Sequence, residues 1–169
     1  MNDPRTQLKD LIHVEKGIIP ANLCEHIIQD IETRPWKPHT WYNNVNKSFG
    51  SEETMELDVQ PITSELQQLL TPIMIQAGSA YNQKYAYLRC ERTQQIMNKF
   101  STIRFNRYGG GQIMRQHHDH IHSLFDGNEK GIPVLSFILN LNDDYEGADL
   151  FFWENHVVPL GKGDIIMFP

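Results

Sequence analysis

Residues 114–127, "MRQHHDHIHSLFDG", place four histidines and two aspartates in fourteen positions. Imidazole and carboxylate are the side chains that hold borderline divalent metals, and imidazole also moves protons near neutral pH. In an extended strand, residues two apart point the same way, about 6.6 Å apart along the chain, and the residue between them points to the other face. His117 and Asp119 then converge on one ion, and His118, His120 and His122 do not complete the same shell. One imidazole and one carboxylate make two-thirds of the facial triad that leaves positions open on Fe(II) for a cosubstrate and dioxygen. His118 and His120 share the opposite face and would suit zinc if a cysteine or another histidine joined them. By itself H-x-D is short, and it is equally compatible with solvated or hydrogen-bonded imidazoles at a strand end.

The elements around the run decide how it is held. From Phe100 onward the chain reads as short strands, "FSTIRFNRY", "GGQIMRQHHDH", "IPVLSFILNLN", "ADLFFWE", "NHVVPLG" and "DIIMFP", separated by "GGG", "DGNEKG", "NDDYEG" and "GKG". Such spacing predicts an antiparallel barrel or sandwich. Ahead of it, 11–20 predicts a strand. Residues 20–34 predict a helix with Leu23, Ile27, Ile28 and Ile31 on one face and Pro20 near its start. Residues 35–54, with Trp36, Trp41 and Tyr42, read as a packed surface loop with a short edge strand, although such a loop could also fold over the mouth of a site. Residues 62–85 carry apolar side chains at a spacing of 3–4 and predict the strongest helix, kinked or restarted at Pro72. The expectation is one α+β domain over 1–169, with a helical support region at 1–98 and a β core at 99–169.

Composition narrows the partners. Lys and Arg total 15 against 21 Asp and Glu, a net charge of −6, which argues against non-specific binding to nucleic acid. "MNDPRTQLKDLIHVEK" has no apolar core of a secretory signal, and no run of eighteen apolar residues occurs, so no membrane is expected and the location expected is cytoplasmic. Cys24 and Cys90 are then reduced thiols, and Cys24 falls on the apolar side of its helix, where packing is its expected role.

The flanks of the histidine run carry a resemblance. "RYGGGQIMRQHHDH" reads Y-x-x-G-Q-x-x-x-x-H-x-D, with Tyr108, Gly111, Gln112, His117 and Asp119 at the marked positions. This resembles the 2-oxoglutarate- and Fe(II)-dependent dioxygenases, in their prolyl 4-hydroxylase-like branch. "VLSFILNLNDDYEGADLFFW", with Gly147–Ala148 where the family usually has Gly-Gly, is similar to the family's next two strands, and "GKGDIIMFP" to a later one. "LIHVEKGIIPANLCEHIIQDIE" resembles the opening of many members; 35–99 carry no likeness.

The resemblance implies a double-stranded β-helix, or jelly roll, on N-terminal helices. It implies iron held by His117 and Asp119 and 2-oxoglutarate as cosubstrate, with Tyr108 donating a hydrogen bond to its far carboxylate. Ile138 and Asn140 would line the cosubstrate pocket, and ascorbate would be the accompanying reductant. The reaction implied is hydroxylation of a peptide or small-molecule substrate, a peptidyl proline being the commonest in this branch, coupled to decarboxylation of 2-oxoglutarate to succinate.

Other residues have simpler readings beside these. Tyr108 would equally serve as a strand-end aromatic closing the core. Arg104 and Arg107 read as solvated or ion-paired rather than substrate-contacting, and His156, in an apolar strand, as structural.

The likeness stops at Pro169, before the histidine and the lysine or arginine that complete the family's site. The expectation is a piece of a longer jelly roll, incomplete at its C-terminus, with weak iron binding and an unpaired strand edge beside "DIIMFP" prone to self-association. The alternatives are a non-catalytic module that retains the H-x-D half of a site, and a zinc-binding domain built on "HHDHIH".

Overall fold

The computed structural model describes residues 7–40, 42–43, 48–49, 56–85, 100–117 and 134–169. A single 3-10 turn, Leu8–Leu11, leads into strand β1 (His13–Glu15). The strand expected over 11–20 is therefore short. The chain leaves β1 through a turn at Lys16–Gly17, where Gly17 has φ 59°, and Pro20 caps helix α1 (Ala21–Glu32). Ile27 and Ile31 of the predicted apolar face are buried, as is Cys24 beside them. The carbonyls at the C-terminal end of α1 need donors. The buried Gln60 amide supplies them, its Nε2 donating to Ile31 O at 3.0 Å, Arg34 O at 3.2 Å and Pro35 O at 3.3 Å.

Residues 35–54 hold more strand than expected: β2 (Lys37–Pro38), and β3 (Tyr42–Asn43) paired with β4 (Ser48–Phe49). Strand β5 (Asp58–Pro61) has no counterpart in the sequence pattern. Asp and Pro are poor strand formers, and the segment is extended because both of its edges find partners. Helix α2 (Ser64–Lys84) comes next, with Thr63 Oγ1 accepting from Leu66 N at 3.3 Å. It runs through Pro72 as one helix, without the expected restart. A proline in a helix interior costs about 3 kcal/mol. Leu66 and Leu70 before it and Ala77 and Tyr81 after it are all buried, and burial at about 1.5–3 kcal/mol for each large side chain exceeds that cost.

The remaining strands are β6 (Arg104–Arg107), β7 (Ser136–Leu139), β8 (Leu150–Phe152), β9 (His156–Val158) and β10 (Ile165–Phe168). Residues 110–117, expected to be a strand, instead form a turn and irregular chain. All pairings are antiparallel, in sheets β1-β10-β7 and β2-β5-β6 and hairpins β3-β4 and β8-β9. The fold is thus mixed α+β, with two helices and several antiparallel sheets among the described residues. The N-terminal half supplies β1, β2 and β5 to these sheets, so residue 98 does not divide helix from strand. Nor is β10 an exposed edge: β1 takes one side of it and β7 the other, with Ile166 opposite both Val14 and Ile138.

Helix α2 lies across both three-stranded sheets. Its first half packs Leu66 and Leu70 with Ile27 and Ile31 of α1 and Phe105 of β6. Its second half packs Ala77 and Tyr81 on Ile165 and Met167 of β10. Leu139 of β7 touches both clusters. On the opposite face of β10, Phe168 meets Phe152 of the β8-β9 hairpin edge-on, with ring centroids 4.9 Å apart. None of the described helices is long and apolar enough to cross a membrane.

Candidate functional site

Alternation along β6 sorts its side chains. Phe105 enters the core, and Arg107 on the same side pairs with Glu32 at 3.1 Å and Asp58 at 2.9 Å. Arg107 also stacks over the Trp36 ring, 4.4 Å from its centroid. Both residues are therefore occupied in joining α1 to the sheet. Arg104 and Asn106 face away from the helices and are exposed, and Tyr108 continues that face. The Arg104 guanidinium makes no hydrogen bond or ion pair with another described residue.

After Tyr108 the chain turns. Gln112 N donates to Gly109 O at 3.1 Å, and Gly111, with φ 81°, takes the position where a type II turn needs glycine. The Gln112 side chain closes the turn from within, its Oε1 accepting from Gly109 N. The Gly-Gln pair singled out in the sequence is thus a structural turn. It returns Met114 to Tyr108, whose hydroxyl approaches Met114 Sδ at 3.6 Å. Thioether sulfur is a weak acceptor, so the hydroxyl is not strongly committed. Tyr108 is 44% exposed overall. Desolvation pushes the phenol's pKa up; Arg104 offsets part of that and Glu56 adds to it, leaving a protonated donor at neutral pH.

His117 is exposed at the end of this segment. Its Nδ1 lies 2.8 Å from the carbonyl oxygen of Arg115. A carbonyl only accepts, so Nδ1 carries the hydrogen, and in the neutral ring the lone pair is on Nε2. Arg115 is held in turn by Glu56, whose Oε1 accepts from Arg115 N at 3.2 Å and Nε at 2.7 Å. Glu56 and the nearby His39 are both buried. Burial and the Arg104 charge lower the pKa of His39, Glu56 opposes them, and His117 lowers it slightly further. His39, Glu56, Arg104, Tyr108, Arg115 and His117 therefore form one electrostatic neighbourhood.

Asp119 lies outside the described residues, as do His118, His120, His122, Trp41 and Cys90. Among the described residues no three His, Cys, Asp or Glu side chains are grouped to hold a metal ion. Ile138 belongs to the other sheet, on the face of β7 turned away from α2, and Asn140 follows directly after that strand. Ile138 is 40% exposed there. Asn140 braces the turn before β10, its Nδ2 donating to Asn142 O at 2.8 Å, Gly161 O at 3.2 Å and Leu160 O at 3.4 Å. Neither shares a hydrogen bond with Tyr108 or His117. His156 packs its ring by Phe152, as a structural residue would.

No family model, curated protein or solved structure matches this chain. The chemistry of the site therefore rests on its own residues. Glu56 and His39 escape a reading of the sequence because each stands in a stretch with no apolar periodicity. The only signal is an acidic residue directly before the "LDVQP" segment, one of several acids in "SEETMELD".

Proposed function

We propose that this protein is an Fe(II)- and 2-oxoglutarate-dependent dioxygenase of the prolyl 4-hydroxylase-like kind, built on a jelly roll. The observation that carries the reading is His117: its Nδ1–H is spent on Arg115 O at 2.8 Å, which puts the lone pair of the neutral ring on Nε2, the nitrogen a metal would take. It stands in the H-x-D pattern, and the donor set of His117 imidazole and Asp119 carboxylate suits Fe(II). The fold supports the reading as well. Strands β6 and β7 pack on the same helices and each has one edge unpaired among the described residues, so a strand added to both would merge the two sheets into the larger sheet of a jelly roll.

His117 and Asp119 would hold the iron. When bound, iron would supply dioxygen activation: dioxygen is the oxidant, one of its oxygen atoms going to 2-oxoglutarate, which leaves as succinate and CO₂, and the other into the hydroxylated substrate. The chain's own groups bind and orient. Tyr108, kept protonated, donates to the far carboxylate of 2-oxoglutarate. Arg104, exposed on the same strand face and without an ion-pair partner among the described residues, attracts that anion. Ile138 and Asn140 would line the cosubstrate pocket, as the resemblance implies. Ascorbate would be the accompanying reductant, and a cytoplasmic setting would keep the Cys24 thiol reduced.

The test is succinate release from 2-oxoglutarate with Fe(II) and ascorbate, in the wild type and in His117→Ala and Asp119→Ala. Turnover lost in both variants supports the reading. Metal binding without turnover assigns a non-catalytic module, and no metal binding at all overturns the proposal.

A further inference from the structure

We propose that Glu56 is a positioning residue for His117, acting through Arg115; the inference rests on the reading of His117 as a metal ligand. Residues 112–117 belong to no strand or helix, so no ladder holds the histidine. The Arg115 carbonyl, 2.8 Å from His117 Nδ1, sets which ring nitrogen carries the hydrogen, and that carbonyl is only as rigid as the Arg115 backbone. Glu56 supplies the rigidity. Its carboxylate belongs to a residue only 5% exposed and receives the Arg115 backbone N–H and the Arg115 Nε on a single oxygen. Glu56 itself is anchored by its place two residues before β5, which is paired with both β2 and β6. The neighbouring Leu57 carbonyl also accepts from His39 N at 2.8 Å. The chain of control runs from a paired sheet to a buried carboxylate, the Arg115 backbone on either side of its Cα, and a ring.

A stabilising role exists beside the positioning one: the Arg115 side chain is 70% exposed and would be solvated without Glu56, whereas the buried Glu56 carboxylate needs its donors. The His117 tautomer is the readout that a stabilising role alone would not move. The bond to the backbone N–H is the part that an exposed arginine does not need. Its effect falls on the orientation of the next peptides, and so on the tautomer of His117. Ligand histidines commonly have their second ring nitrogen engaged in this way, and losing such support costs about 10–100-fold in metal affinity.

The experiment uses the full chain. Long-range ¹H–¹⁵N spectra of the metal-free protein, recorded above the imidazole titration range, read the His117 tautomer directly. Titration with Co(II), as a spectroscopic substitute for Fe(II), reads affinity. The wild type should show the Nδ1–H form. Glu56→Ala should shift it toward Nε2–H and weaken Co(II) binding by about 10–100-fold. Arg115→Met removes one of the two bonds, is tolerated at an exposed site, and should give a smaller change in the same direction. A folded Glu56→Ala with unchanged tautomer and affinity overturns the proposal. If Glu56→Ala does not fold, an unchanged Arg115→Met does so. A tautomer shift in a protein whose wild type binds no Co(II) would leave the positioning of the ring standing and overturn its reading as a ligand. Co(II) binding that needs His117 but is indifferent to Glu56 would sink the positioning alone.

Discussion

The Asp164 carboxylate lies 2.7 Å from the Lys16 ammonium and ties the start of β10 to the turn after β1. Asp164 is only 4% exposed and also accepts from Gly161 N at 2.6 Å and Gly17 N at 2.9 Å. Burial alone would raise its pKa, but the Lys16 contact and the two backbone donors outweigh that and hold it below the ordinary value.

Asp164→Ala leaves two backbone donors short of an acceptor and should cost about 2–4 kcal/mol in denaturant unfolding. Lys16 is largely exposed, so Lys16→Ala should cost under about 1 kcal/mol. A depressed carboxyl stabilises the fold above its unfolded pKa of about 3.9, and that contribution disappears as pH falls through the lower folded value. Acid unfolding of the wild type should show this loss, and Asp164→Ala should not. Equal stability of Asp164→Ala and wild type at neutral pH would refute the role.

Gly163→Ala should be as damaging. Gly163 has φ 81°, and a Cβ there would collide with the Ile19 carbonyl oxygen, which is backbone and cannot yield easily. The left-handed conformation alone costs a non-glycine residue about 1–2 kcal/mol, and the clash adds to it. A melting temperature within about a degree of wild type would contradict the packing described.

His13 makes the fold sensitive to mild acid. Its Nδ1 accepts from Lys84 Nζ at 2.8 Å, and its Nε2 lies 3.5 Å from Glu15. Burial and then the Lys84 charge lower its pKa, and Glu15 only partly compensates. His39 is lowered as well. An unfolded imidazole titrates near about 6.5, so just below that pH the unfolded chain binds more protons than the folded one. Stability should therefore fall as pH drops from about 7.5 to 5.5, and His13→Gln should flatten part of the slope. The urea midpoint measured against pH checks this; a midpoint that rises on acidification contradicts it.

Tyr108→Phe isolates the cosubstrate contact. Among the described residues the hydroxyl meets only the weak acceptor Met114 Sδ, at 3.6 Å, so stability should change by under about 0.5 kcal/mol. A hydrogen bond to a charged group is worth about 1.5–3 kcal/mol, so 2-oxoglutarate affinity should fall roughly 10–100-fold with metal affinity unchanged. Calorimetric titration of both ligands is the measurement. Unchanged 2-oxoglutarate affinity would return Tyr108 to a role in closing the core.

Local pattern was enough for some of this. The α+β class, both helices, the burial of Ile27, Ile31 and Cys24, and five of the six C-terminal strands come from periodicity and turn residues, which act over a few positions. The chemical types that make His117 and Tyr108 candidates were also plain. Pairing was not legible, because a ladder depends on what lies alongside rather than on the strand's own residues. Asp58–Pro61 becomes a strand only between β2 and β6, and "DIIMFP" becomes a central strand only because His13–Glu15 returns to cover its edge. Residues 110–117 read as a strand by composition, yet the glycines close a turn and residues 112–117 find no partner strand among the described residues. The support of the site was hidden for the same reason. Glu56 and Arg115 are 59 residues apart in sequence, and only the folding of β5 onto β6 brings a buried carboxylate against Arg115, whose carbonyl meets His117.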